Sequence, residues 1–156
     1  MLKEKNTVGH VNNEKMRKIE LVPNKSVDDF LLGCFIDKYL DREHEYYSKG
    51  NNEFADDLYE FLSPSLSIWT DDSHKISIIG CYKECYWAGR NLIKMPFDEF
   101  LLSYNVTPDK SENIYILVNG KGQNQTVYDF DKLGLQIWVW RKRIVTVLIS
   151  NFRASE

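Results

Sequence analysis

The segment Leu66-Ser67-Ile68-Trp69, followed after a polar turn by Lys75-Ile76-Ser77-Ile78, decides the fold. Apolar and polar residues alternate on both sides of Thr70-Asp71-Asp72-Ser73-His74. Successive side chains of a strand point to opposite faces, so a period of two separated by turn residues predicts a β-hairpin.

The pattern returns further along. Gly134-Leu135-Gln136-Ile137-Trp138 and Ile144-Val145-Thr146-Val147 flank Arg141-Lys142-Arg143 and predict a closing hairpin from Leu133 to Ile149. Each hairpin follows a related helix start, Phe35-Ile36-Asp37-Lys38-Tyr39-Leu40 and Phe97-Asp98-Glu99-Phe100-Leu101-Leu102. The copies are about 62 to 69 residues apart, too far for a solenoid repeat. One half alone would leave an apolar sheet face uncovered, and joining two halves buries it. The expected fold is α+β: a mostly antiparallel sheet with helices on one face, built from two helix-plus-hairpin halves (about 19–88 and 89–150). Together they form one domain, 18–152, behind a flexible tail, 1–17. The opposite sheet face is left partly exposed for binding.

Working outward, Ile19-Glu20-Leu21-Val22 predicts a short strand stopped by Pro23. Ser26 is suited to cap a helix whose apolar positions are Phe30, Leu31, Cys34, Phe35, Tyr39 and Leu40. Glu53 to Leu62 predicts a further helix, with Phe54, Leu58, Phe61 and Leu62 opposite Asp56, Asp57 and Glu60. A strand is expected from Cys81 to Trp87, ended by Ala88-Gly89, and a helix from Pro96, with its acids near the dipole's positive end. Ile114–Val118 and Thr126–Tyr128 are strands joined through Asn119-Gly120-Lys121-Gly122.

Composition narrows function. The chain has 156 residues, 43% hydrophobic and 28% charged, which is ordinary globular balance. No apolar run reaches the roughly 20 residues that cross a bilayer, and the polar first residues do not resemble a secretory signal. Three cysteines are an odd number for a disulfide framework, and a reducing cytoplasmic setting is expected. Cys81 and Cys85 lack the paired partners of a zinc site, and same-face positions on a strand make them buried hydrophobes. His10, His44 and His74 fall in polar surroundings, and nothing resembles a nucleophile elbow, a phosphate loop or a dinucleotide fingerprint. No enzyme and no cofactor is expected.

Charge is unevenly spread. Asp28, Asp29, Asp37, Asp41, Glu43, Glu45, Glu53, Asp56, Asp57, Glu60, Asp71 and Asp72 stand against Lys38, Arg42 and Lys49. That stretch sums to −9, so the rest must sum to +6 for the net −3. Such a segment repels nucleic acid and steers basic proteins toward it.

Cys85-Tyr86-Trp87-Ala88-Gly89-Arg90-Asn91-Leu92-Ile93-Lys94-Met95-Pro96 and Tyr128-Asp129-Phe130-Asp131-Lys132-Leu133-Gly134-Leu135 resemble a group of small bacterial proteins with "G-x-N-L-I-G-M" and "Y-x-F-x-x-L-G-L" segments. Pro23-Asn24-Lys25-Ser26-Val27 with Phe30-Leu31-Leu32-Gly33 resembles the same group's "P-G-K-S" start. The group is similar to immunity proteins of contact-dependent growth inhibition and related polymorphic toxin systems. The chain departs from it at Lys94 and Asn24, where the group has Gly. The resemblance implies a neutraliser of a cognate toxin protein domain, many of which are basic nucleases. Asp56, Asp57, Glu60, Asp71 and Asp72, with Trp69 as an aromatic anchor, are the candidate contact surface. The competing expectation is a regulatory or housekeeping module that self-associates through its sheet.

Overall fold

The computed structural model describes residues 18–51 and 56–151; the expected tail, 1–17, lies outside them. Thirteen strands and one α-helix are found there. Eight strands form one antiparallel sheet in the order β10-β11-β12-β13-β7-β6-β5-β4. They are β4 (His44–Tyr47), β5 (Asp57–Leu62), β6 (Ser65–Thr70), β7 (Ile76–Cys81), β10 (Lys110–Val118), β11 (Lys121–Phe130), β12 (Leu135–Trp140) and β13 (Arg143–Ser150). Two small ribbons stand apart: β1 (Leu21–Val22), β2 (Ser26–Val27) and β3 (Phe30–Leu31), and the pair β8 (Tyr86–Trp87) and β9 (Arg90–Asn91). The helix α1 is Phe97–Tyr104.

Both expected hairpins form. In β6–β7, Ile68 faces Ile79 and Trp69 faces Ile78; in β12–β13, Ile137 faces Val147 and Trp138 faces Thr146. Each ladder slips just after its tryptophan, at Trp69/Thr70 and at Trp138/Val139. A bulge of this kind adds local twist and re-aims the following side chains. β7 and β13 then pair with each other, Val147 to Cys81, Leu148 to Gly80 and Ile149 to Ile79. The two meanders are therefore joined at their last strands, and Gly80–Leu148 is one of the four pairs of the seam.

The chain before each hairpin is tied to it in the same way. Gly33 N–H donates to Ile76 O (2.8 Å), and Lys94 N–H donates to Ile144 O (2.7 Å). Ile36 N–H reaches His74 O, and Phe97 N–H reaches Lys142 O, both at 2.9 Å. Gly33 (φ 85°) and Lys94 (φ 73°) thus share one left-handed turn conformation. Asn24 is also left-handed (φ 64°), so both departures from the "G" of the resembled motifs sit where glycine carries no Cβ penalty. Because Lys94 is exposed, Lys94→Gly should stabilise the protein by about 1 kcal/mol, read as a rise in urea midpoint. An unchanged midpoint would show that the lysine side chain offsets its backbone cost.

One core fills the space between the sheet and the segments that precede the hairpins. Phe61, Leu66, Ile68, Ile79, Leu135, Ile137 and Ile149 come from the sheet. Val27, Phe30, Ile36, Tyr39, Leu92, Phe97 and Phe100 close over them. Phe30 stacks on Tyr39 (4.5 Å) and meets Phe61 (4.9 Å), while Phe97 stacks on Tyr128 (4.1 Å) and Phe100 meets Phe130 edge-on (5.6 Å). Burying each of these large side chains contributes about 1.5–3 kcal/mol before conformational entropy is subtracted.

Several expectations need correction. Ser26 lies in β2 and caps no helix. The stretch from Phe30 is β3, a loop and one 3-10 turn, Ile36–Tyr39. Its buried residues Phe30, Ile36 and Tyr39 converge through that loop and not along one helix face. Residues 52–55 lie outside the description, but Asp57–Leu62, expected as helix, is strand β5. β7 ends at Cys81, residues 82–83 form a bend and the next strand starts only at Tyr86, so Cys81 to Trp87 is not one strand. The helix at Pro96 is present, with Pro96 at its N-cap and Asn105 closing it in the left-handed conformation. The fold is mostly antiparallel sheet with a single α-helix among the described residues.

Candidate functional site

The other face of the eight-stranded sheet carries a different chemistry. Pairing places Leu58, Glu60, Ser67, Trp69, Ile78 and Gly80 there from one meander, and Val127, Gln136, Trp138, Thr146 and Leu148 from the other. Trp69 (8% exposed) and Val127 (3%) are buried yet do not belong to the core cluster. They are sheltered by neighbours on their own face. At the seam a Cβ on Gly80 would come 2.9 Å from Leu148 Cδ2 and 3.1 Å from the Trp69 ring. Glycine therefore lets the Trp69 indole lie flat across β7.

Beside Trp69 is a polar network. Ser67 Oγ and Tyr82 Oη are 2.5 Å apart, and Tyr82 Oη donates to Glu60 Oε2 at 3.0 Å. Glu60 Oε1 is buried without a hydrogen-bond partner. Burial first, then the bond to Ser67 acting the other way and the Glu60 charge, leave the Tyr82 hydroxyl pushed up to about 12. The neutral phenol is favoured in the folded state, so its contribution is whole below the ordinary tyrosine range near 10. It is lost as pH rises through about 12. An ultraviolet tyrosinate titration should show a late-ionising phenol that disappears in Tyr82→Phe. A variant with an unaltered titration curve would refute this assignment.

The aspartates occupy the adjoining end of β5 and β6. Asp57 accepts bonds from Tyr46 Oη (3.1 Å) and Lys49 N–H (2.9 Å). Asp71 accepts from the Ser73 and Lys75 amides at 2.9 and 3.0 Å, which fixes the β6–β7 turn. Asp72 lies 3.5 Å from Lys49 Nζ. The Asp56 carboxyl is raised above the usual range, by burial first and then by Asp72, Asp71 and Asp57, with Lys49 opposing. Four carboxylates thus crowd one end of the sheet. From Glu43 to Asp72 the chain has eight acidic residues (Glu43, Glu45, Glu53, Asp56, Asp57, Glu60, Asp71, Asp72) and one basic, Lys49.

The earlier part of the acidic run behaves otherwise. Arg42 forms a two-pronged ion pair with Asp29, which holds that carboxyl below its usual range, and its guanidinium lies 5.0 Å from the Phe30 ring centre. The −9 segment therefore divides into residues 28–42, which carry −2 and hold the Arg42–Asp29 pair, and residues 43–72, which carry −7.

The structure thus brings Asp56, Asp57, Asp71 and Asp72 together. Glu60 and Trp69 are separated from them by the turn of the strand onto the uncovered face. Tyr82, Ser67 and Leu148 were not anticipated; only the alternation of Leu66 to Trp69 pointed to that face. Trp138 donates its indole N–H to Gln136 Oε1 (2.9 Å), and Arg141 covers Trp140 at 4.4 Å. The Trp140 face is therefore occupied by the chain's own guanidinium.

Cys81 and Cys85 are buried, and contact with Cys85 followed by burial pushes the Cys81 thiol well up, away from thiolate. Among the described residues no group of three or more His, Cys, Asp or Glu is arranged to hold a metal ion. No described helix is long and apolar enough to cross a membrane. No protein-family model, curated protein or solved structure matches the chain.

Proposed function

We propose that the protein neutralises a basic toxin protein domain, of the kind handled by contact-dependent growth inhibition immunity proteins. It would do so by occluding or distorting the toxin's active site, with no chemistry of its own. The observation that carries this reading is the crowding of Asp56, Asp57, Asp71 and Asp72 around a single lysine beside an aromatic sheet face. A cationic partner relieves that repulsion on docking, while the partly exposed Tyr82 and Leu58 of the adjoining sheet face supply apolar contact. The positions of Asn24, Lys94 and Gly134, all left-handed, support the resembled motifs as turn geometry.

The test is a capture from the native source at low salt, eluted at high salt and identified by mass spectrometry. The expected product is a small basic protein near equal stoichiometry, toxic when expressed alone and harmless when co-expressed with this chain. Recovery of no such protein, or of one whose toxicity co-expression leaves intact, would overturn the proposal.

A further inference from the structure

The two ends of the large sheet are not alike. β4 has four residues, flanked or occupied by Glu43 and Glu45, and short charged edges resist pairing with other chains. β10 has nine, and no described strand pairs with its outer side. Its second half reads Ile114-Tyr115-Ile116-Leu117-Val118, with no charge, proline or bulge to blunt it. Tyr115 and Leu117 are 66% and 69% exposed. β12 pairs with β11 only over Thr126–Phe130, so the hairpin from Ile114 to Gln125 projects beyond the rest of the sheet. A cross-strand neighbour holds it in shape. Tyr115 lies across Gly122, where any Cβ would displace its ring.

An exposed, flat, apolar edge is a template for another strand. Its residues fit a second copy of themselves. A two-fold axis normal to the sheet makes two β10 strands antiparallel and keeps each residue on its own face, so only registers pairing like-parity positions are allowed. With the axis at Ile116, Ile116 meets its own copy, Ile114 meets Val118, and Tyr115 meets Leu117. All five positions then face apolar partners. The same register sets Glu112 of one copy against the Asn119-Gly120 turn of the other. Glu112 and Lys121 share a sheet face, because Glu112 pairs with Val127 and Lys121 with Val118 on that side. Two symmetric Glu112–Lys121 pairs therefore close the ends of the contact.

We propose that this protein forms a symmetric homodimer in which β10 of two copies pair antiparallel about Ile116, extending the sheet to sixteen strands. The contact lies at the opposite end of the sheet from the aspartates, so each copy keeps its acidic end open. The dimer does not depend on the toxin reading.

Sedimentation equilibrium of the full chain, from low to high micromolar concentration, tests it. The wild type should show a monomer–dimer equilibrium. Ile116→Lys puts two ammonium groups on the axis and should leave only monomer, with the circular dichroism spectrum of the wild type and the melting temperature that the wild type shows at dilutions where it is itself monomeric. Leu117→Asp, at a fully surface-facing position, should do the same and guards against misfolding of the first variant. Glu112→Lys or Lys121→Glu alone should weaken the dimer about tenfold through two rim pairs. The double exchange should restore it. A wild type that stays monomeric throughout, or a dimer that survives both apolar-edge variants, overturns the proposal. So does a double exchange that fails to restore what each single change removed. A monomer in which Ile116→Lys instead abolishes capture of a toxin would assign this edge to that partner and equally overturn the homodimer.

Discussion

Gly134→Ala is expected to cost about 3 kcal/mol or more of folding stability. Two penalties combine at that position. Gly134 closes the 3-10 turn Asp131–Leu133 with φ 64°, a left-handed conformation that costs a side chain roughly 1–2 kcal/mol. A Cβ there would also fall far inside contact distance of the Ser150 carbonyl oxygen and the Asn24 side chain. Ser150 cannot swing away, because its own N–H donates to Gly134 O at 2.9 Å and Asn24 donates to Lys132 O at 2.7 Å. The measurement is urea unfolding, with a lower midpoint and an unchanged slope. Gly120→Ala is the control. Gly120 has φ 80° but open space around it, so it should lose only the conformational part, about 1 kcal/mol. Equal losses at the two glycines would show that the Ser150 contact is not what makes Gly134 necessary.

The same glycine shows how much of this fold is written locally. The Leu133-Gly134 pair reads in sequence as the start of a hairpin strand, whereas it ends a 3-10 turn and the strand begins only at Leu135. The hairpins are legible because Leu66 to Trp69 and Leu135 to Trp138 alternate over strands whose two faces meet different environments. β5 is not. Leu58, Tyr59, Phe61 and Leu62 put apolar groups on both faces of a strand, and a strand apolar on both sides mimics helical spacing. Asp56, Asp57 and Glu60, poor strand formers, reinforce the wrong choice. Phe30 to Leu40 misleads for another reason. Its buried residues are held by tertiary contacts across a loop, Tyr39 donating through its hydroxyl to Asp29 O at 2.8 Å. No periodicity in sequence encodes that.

The candidate site was half legible on the same grounds. Charge is additive along a chain, so an acidic end could be read from Asp56, Asp57, Asp71 and Asp72 whatever the secondary structure between them. Strand pairing of β5 with β6, Asp57 to Thr70, is what joins the two aspartate pairs in space. Glu60 was assigned to that surface by helical spacing. On a strand it points away from Asp57's side and meets Tyr82, a residue that sits fifteen positions from Ser67 and could be placed only by the fold.

Asp56→Lys combined with Asp72→Lys should weaken binding of the proposed basic partner about a hundredfold, mostly through slower association. These two positions are chosen because Asp71 holds the Ser73 and Lys75 amides and Asp57 holds Lys49, so altering those would disturb the turn as well as the field. Stability should move the other way. Burial and three neighbouring carboxylates raise the Asp56 pKa, so the folded state binds that proton more tightly than the unfolded chain. Its contribution favours folding below the ordinary aspartate range and is lost as pH rises through the folded value. At neutral pH the ionised group works against the fold. Asp56→Asn should therefore raise the stability of the free protein, read as a higher urea midpoint at neutral pH, while lowering affinity for the proposed partner. Salt separates this account from a purely structural one. Screening should stabilise the free wild type by relieving the aspartates and weaken its complex by masking them, two slopes of opposite sign. Both slopes should flatten in the double lysine variant. If affinity is instead unmoved by either the substitutions or the salt, the acidic end is a solvated surface and the partner docks elsewhere.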